Sequence, residues 1–332
     1  MKVHVKYGPE PGFDAILKLY DRRFGTTLRD GLQRDRLTHT AAKESLFQDS
    51  VRSGAISRVL RQIEDDDRVQ VFRTTGSADV DGTAAGYVKY EANRWRKCEE
   101  LFAQEAKAYT RLSNLQGKVI PQMYAHVRLA APQEAAVTVP VDLLERHETA
   151  QYFQVKGILI QRIFGCDLYD LPVSKIAPPD PKEWQGIVQA AIDGAHSVNC
   201  QGVCMEDCSP WNVVVEETSR RPFLVDLAQC QFRDEMFAEL EDSSSEDEEG
   251  EDQDAKNQQA GDKYSGTGSD ESDWDPDVAY WEAVRNSNGT AALGQGMARR
   301  LRDTKGIGIV PEYPDYKGII AGIKSEKKEL AP

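Results

Sequence analysis

Two short apolar runs, Val213-Val214-Val215 and Phe223-Leu224-Val225, stand either side of a polar turn. Each is too short for a helix and is built from β-branched, aromatic and leucine residues, so the pair reads as a two-stranded hairpin. Polar groups bracket it: Asn212 precedes the first run and Asp226 follows the second. Asp207 stands five residues before Asn212, in Gly202-Val-Cys-Met-Glu-Asp-Cys-Ser-Pro-Trp-Asn212, and an amphipathic, Ala-rich helix is expected just upstream, from Trp184 to Val198. Helix, polar loop, hairpin and strand-terminal Asp in that order leave few ways for this part of the chain to fold.

Elsewhere the pattern mixes periods. Residues 3–7 alternate, Gly8 to Gly12 supplies a turn and Phe13 to Tyr20 reads as a second strand. Leu46, Val51, Ile56, Val59, Leu60 and Ile63 predict a helix over about 41–64. A loop is expected at 76–83. Trp95, Cys98, Phe102, Ala106, Tyr109 and Leu112 predict a long helix over about 92–115, stopped by Gln116-Gly117. Val137 to Leu144 and Gly157 to Ile163 read as strands, and helices are expected around Tyr280–Val284 and over about 291–302. The fold class is therefore α+β, and 332 residues suffice for two lobes with separate cores.

The net charge of −14 is not spread evenly. Residues 234–277 hold 18 Asp or Glu against two Lys, and the remainder of the chain is close to neutral. Within that stretch, 240–272 carries too little apolar surface to offset its chain entropy and is expected to be a disordered acidic insert. It reads as a solvating spacer. Ser243, Ser244 and Ser245 each have an acidic residue three positions on, so an acidophilic kinase could also phosphorylate it, and a basic partner is a further expectation. No dense basic block supports nucleic-acid binding. No apolar run approaches a membrane span and no signal-peptide core opens the chain, so an intracellular, cytoplasmic or nuclear protein is expected, with no membrane partner. The spacing Cys200-x3-Cys204-x3-Cys208 fits none of the usual zinc patterns and reads as reduced thiols.

Protein kinases place an Asp five residues before an Asn on the catalytic loop, then a hairpin, then a metal-binding Asp. The first Asp faces the attacking hydroxyl. The Asn turns back to a metal ion, and the second Asp grips the metal that bridges the nucleotide phosphates. Beyond this shared pattern, the chain resembles the fungal protein-kinase-like proteins in Lys18-Leu-Tyr-Asp-Arg-Arg-Phe24, in Glu105-Ala-Lys-Ala-Tyr-Thr-Arg-Leu-Ser-Asn-Leu-Gln-Gly117 and in Ile120-Pro121. The likeness runs from about residue 15 to about 315, interrupted by the acidic insert. It implies a two-lobed protein-kinase-like fold: an N-lobe over 1–163 with a helical insertion at about 25–90, and a short helical C-lobe over 164–332.

The resemblance implies ATP and Mg2+ as cofactors, with a protein or small-molecule hydroxyl as acceptor. Lys18 would hold the α- and β-phosphates, paired with Glu105. Gln161 to Ile163 would contact adenine through backbone groups. Asp207 would be the catalytic base, with Asn212 and Asp226 as metal ligands. Lys89, 16 residues before Glu105, is a rival for the phosphate-binding lysine. Departures favour a second expectation, a pseudokinase acting as an interaction module. Met205 and Glu206 replace the usual His-Arg, Ser209 replaces the usual Lys, and the metal triplet reads Asp226-Leu-Ala228. No Gly-x-Gly-x-x-Gly precedes Lys18, so a reduced N-terminal sheet is expected.

Overall fold

The computed structural model describes residues 1–6, 11–24, 39–69, 83–129, 138–236 and 275–330. They form a mixed α and β structure with small antiparallel sheets, divided into two units. One comprises Met1–Gly117 with Pro121–Arg162, the other Lys118–Ile120 with Ile163–Pro332. The expected acidic insert at 240–272, most of the expected loop at 76–83 and much of the expected helical insertion at 25–90 lie outside the described residues. Among the described residues no helix is long and apolar enough to cross a membrane.

In the first unit, β1 (Lys2–Val5) and β2 (Phe13–Tyr20) form the antiparallel hairpin that their alternation predicts. β2 also pairs with β4 (Val155–Gln161), which pairs in turn with β3 (Met123–Leu129), giving the order β1-β2-β4-β3. β4 ends two residues before the expected Ile163. β3 was not foreseen, because only Met123 and Val127 are even partly buried and an edge strand of that kind leaves little apolar alternation to read. Gly157 faces Leu19 so closely that a Cβ there would lie 2.3 Å from the Lys18 carbonyl oxygen, and this fixes the backbone on which Lys18 sits.

The helix expected over 41–64 is two: α1 (Ala41–Arg52) and α2 (Ala55–Val69). Gly54, at φ +71°, breaks the run in a left-handed turn that other residues enter at a cost. The long helix, α3 (Ala84–Arg111), begins eight residues earlier than its apolar pattern suggests, capped by the Thr83 side chain accepting from Gly86 N at 3.0 Å. Its early turns bury Tyr87, Tyr90 and Glu91, so polar residues hide part of the stripe. The strand expected over 137–144 is corrected: Val141–Glu145 is a short helix, α4, followed by α5 (His147–Ala150). Val139 and Leu143 are four apart, and both enter the core formed by Phe47, Val51, Ile56, Leu60 and Ile63.

The second unit is centred on α6 (Glu183–Cys200), whose Trp184, Ile187, Val188, Ala191, Ile192 and Ala195 recur at three- and four-residue spacing and are buried. The expected hairpin is present as β7 (Val213–Glu216) and β8 (Pro222–Leu224), with β5 (Gly165–Asp167) completing a three-stranded sheet. β6 (Val203–Met205) pairs with β9 (Cys230–Phe232). Three helices follow: α7 (Pro276–Ser287), α8 (Gly289–Lys305) and the unforeseen α9 (Tyr316–Leu330). The stretch leading from α8 to α9 is clipped to α6 by two glutamines. Gln185 exchanges bonds of 2.8 and 2.9 Å with the backbone of Val310, and Gln189 does the same with Glu312 at 3.0 and 2.9 Å. Four residues of helix rise about 6 Å, close to two residues of extended chain, so the two clips match in pitch.

The first unit also buries charge. Arg22 is 5% exposed and donates to both oxygens of Glu44 at 2.6 Å and to Glu91 Oε2 at 2.8 Å. Its guanidinium lies 3.6 Å from the centre of the Phe47 ring. Tyr87 Oη donates to Glu91 at 2.6 Å, and His39 Nε2 lies 2.7 Å from Glu44. Burial alone would raise the Glu44 carboxyl, but the bonds from His39 and Arg22 outweigh it and hold the pKa down at about 2. A depressed carboxylate adds stability that is complete above the ordinary glutamate range and lost as pH falls from about 4.5 through about 2. Urea denaturation as a function of pH should show this acid limb, flattened in Glu44→Gln. Arg22→Met should cost roughly 3–5 kcal/mol at neutral pH, because it removes the guanidinium that two buried carboxylates share.

Candidate functional site

Lys18 and Glu105 meet in the first unit. Lys18 projects from the middle of β2, and Glu105 from the sixth turn of α3, with Nζ 2.7 Å from Oε2. Glu105 is 1% exposed and Lys18 29%, so the carboxylate is fixed inside while the lysine side chain stays partly accessible. Tyr20, two residues further along the same strand face, also donates to Glu105 Oε2. A buried carboxylate with two partners holds a lysine far more firmly than an exposed pair would. Lys89 is excluded as the partner of Glu105. Both lie on α3, and 16 residues of helix separate them by about 24 Å along the axis.

Gln161, the last residue of β4, has its backbone N–H committed to the Gln122 carbonyl at 2.7 Å, while its side-chain oxygen accepts from Gln122 N at 3.1 Å. That N–H is spent within the sheet. Ile163 belongs to the second unit and is half-buried.

The second unit brings together Asp207, Asn212 and Asp226. α6 leads through a turn at Gly202, φ +73°, into β6, whose Val203, Cys204 and Met205 are all buried. Met205, expected to stand where a histidine is usual, thus serves as core. The chain then surfaces at Glu206 and Asp207. Among the described residues the Asp207 carboxylate has no hydrogen-bond partner, whereas its backbone carbonyl accepts from Asn212 Nδ2 at 3.0 Å. This bond closes the loop and turns the amide back toward it. In the β7–β8 register Val213 faces Leu224, and Val225 N donates to the Asn212 carbonyl at 2.9 Å. Asn212 and Asp226 therefore sit at one end of the hairpin. Asp226 adopts φ +63°, a left-handed conformation costing a β-carbon residue about 1 kcal/mol.

An amide oxygen and a carboxylate at one hairpin end suit magnesium, which takes hard oxygen ligands, keeps several waters and completes its shell with phosphates. Among the described residues no group of three or more His, Cys, Asp or Glu forms a cage of its own. The thiols offer little: burial raises the Cys200 and Cys204 pKa values and pushes Cys208 to about 12.

The supports of this loop were not legible in the sequence. α8 approaches it through glycines. A Cβ on Gly289 would lie 2.8 Å from Cys208 Cβ, and one on Gly296 would lie 3.3 Å from Pro210 Cγ. Three glycines within Gly289–Gly296 are a detectable signal, since helices pay for each one. The other missed residue is Trp211. Inside the Asp207–Asn212 interval it is 58% exposed and stacked on Tyr169, ring centres 4.2 Å apart at 26°.

The sequence matches no family model and no curated protein.

Two substitutions probe this geometry. Asp226→Ala should lower stability by about 1 kcal/mol, because alanine enters the left-handed region without the local hydrogen bonding that lets aspartate tolerate it, as read by chemical denaturation. Gly289→Ala should lower it by roughly 1–3 kcal/mol, because the new methyl group must displace Cys208 and the loop that carries Asp207.

Proposed function

We propose that the chain is a divergent protein-kinase-like protein that binds ATP with Mg2+ and transfers its terminal phosphate to a hydroxyl acceptor. The observation that carries this is the Lys18–Glu105 pair. A partly exposed strand lysine, held by a carboxylate that α3 buries completely, is the device that presents a fixed cation to phosphates. The Asp207–Asn212 loop and the strained Asp226 support it, since strain of this kind persists where a side chain is needed in one place.

In this scheme Lys18 binds the α- and β-phosphates, while Asn212 and Asp226 hold magnesium, which neutralises charge on the transferring group when bound. Asp207 takes up the acceptor's proton. Its carboxylate has no competing donor among the described residues, as a base waiting for a hydroxyl requires. A pseudokinase is the second reading. Ser209 puts no cation beside Asp207, and the Gln161 N–H is already bonded to Gln122.

Thermal-shift titration with ATP, with and without magnesium, tests nucleotide binding. Wild type should gain stability with ATP and more with Mg2+. Asp226→Asn, which retains a residue tolerant of positive φ, should lose the magnesium increment, and Lys18→Met should weaken ATP binding by about tenfold or more. No shift in wild type would remove the nucleotide from the proposal. Asp207→Asn should bind ATP normally and lower phosphate transfer by at least about 100-fold. A wild type that binds ATP but transfers nothing would leave the pseudokinase.

A further inference from the structure

The loop between Asp207 and Asn212 exposes one large side chain, and it is held rigidly. Trp211 presents one face to solvent and lays the other on Tyr169. Beneath Tyr169 lies Arg300 of α8, its guanidinium 4.3 Å from the ring centre and its Nε donating to the Tyr169 carbonyl at 3.2 Å. The three groups form a column of cation, phenol and indole. Backbone bonds tie the column to the candidate site: Leu168 N donates to Val213 O at 2.7 Å, and Tyr169 N to Pro210 O at 3.3 Å. Gly296, one turn before Arg300 on α8, packs against Pro210. Tyr169, on which Trp211 rests, is therefore anchored on the elements that hold Asp207 and Asn212.

An indole held in this way costs little further conformational entropy when a ring settles on it. Its outward face covers no core among the described residues. The polar groups nearby in the chain are mainly carboxylates: Glu206, which accepts from Gln231 Nε2, and Asp207 on the same loop, and Asp167 and Asp170 on the turn carrying Tyr169, where Asp170 pairs with Arg300 at 3.9 Å. Ser209 contributes a hydroxyl and no positive charge. An exposed aromatic plane beside carboxylates suits a neutral ring bearing several hydroxyls. The C–H face of such a ring stacks on indole and its O–H groups donate to carboxylates. With these four carboxylates set against the one guanidinium of Arg300, an anionic acceptor would meet net repulsion instead.

We infer that Trp211 is the acceptor platform of the site proposed above, and that the acceptor is a cyclic polyol, a sugar or inositol ring. The inference rests on the proposed phosphotransfer. With the ring laid on Trp211, a hydroxyl oxygen attacks the γ-phosphorus of ATP. The bond from that phosphorus to the bridging oxygen breaks, ADP leaves with the electron pair, and the hydroxyl proton passes to Asp207. Trp211 selects the acceptor and takes no part in the bond changes.

Saturation-transfer NMR with methyl β-D-glucoside and with myo-inositol, on the full chain with and without ADP and Mg2+, tests the platform directly. Wild type should transfer saturation to the ring C–H protons of at least one probe. Trp211→Ala should weaken that binding by about tenfold, and Trp211→Phe should restore most of it. The thermal shift with ATP and Mg2+ should be unchanged in both variants. No transfer to either probe in wild type overturns the inference, as does equal transfer in wild type and Trp211→Ala. Phosphorylation of a serine peptide at a rate insensitive to Trp211→Ala overturns it in favour of a protein acceptor. Loss of the ATP shift in wild type, with polyol binding intact and dependent on Trp211, overturns the phosphotransfer proposal and keeps the platform.

Discussion

Two carboxylates buried on one face of a single helix organise the first unit. Glu91 and Glu105 are 14 residues apart on α3, close to four whole turns, so both face the same way at about 21 Å separation. β2 and the residues just after it answer with Lys18 and Tyr20 at Glu105 and with Arg22 at Glu91. Removing charges from water costs several kcal/mol per ion, and good geometry with additional hydrogen bonds is what offsets it. Here each carboxylate has at least two donors. A one-residue slip of β2 would turn Lys18, Tyr20 and Arg22 to the other face together, taking Lys18 and Tyr20 from Glu105 and Arg22 from Glu91. The pairs thus set register more than they add stability, and the partly accessible Lys18 side chain is a consequence of that register.

The second unit relies on close backbone approach instead. Its polar loop is short, surface-facing and partly strained, features that by themselves would leave it mobile. It is held because α8 brings Gly289 and Gly296 against Cys208 and Pro210, while β5, β7 and β8 fix its far end. Omitting side chains on α8 lowers helix propensity and lets the loop sit within van der Waals contact of the helix axis. Asp226 in a left-handed conformation and an outward-facing Trp211 belong to the same bargain between local comfort and position.

Much of this is legible in the amino-acid sequence alone. The β1–β2 hairpin, the β7–β8 hairpin, α6 and the core of α3 follow from period and turn residues, because burial on one face leaves a period in the sequence. The failures share a cause. β3 is an edge strand with little to bury, and the first turns of α3 bury tyrosines and a glutamate whose partners lie far off in the chain. In 137–144 the spacing of Val139 and Leu143 was outweighed by a run of β-branched residues. Hydropathy records what a residue prefers on average, and it carries no trace of a buried charge whose partner lies tens of residues away.

By itself, the sequence determined the order of Asp207, Asn212 and Asp226 and the hairpin between them, since these depend on neighbours a few residues apart. It also nominated Lys18 and Glu105 while leaving Lys89 in competition. Only the tertiary structure decided which lysine meets Glu105, because helix geometry places Lys89 about 24 Å along α3 from it, whereas strand pairing carries Lys18 there. The glycine bed under the loop and the Arg300–Tyr169–Trp211 column were likewise decided there. Each joins residues from elements remote in the chain, and contact at that range depends on packing that no local pattern encodes.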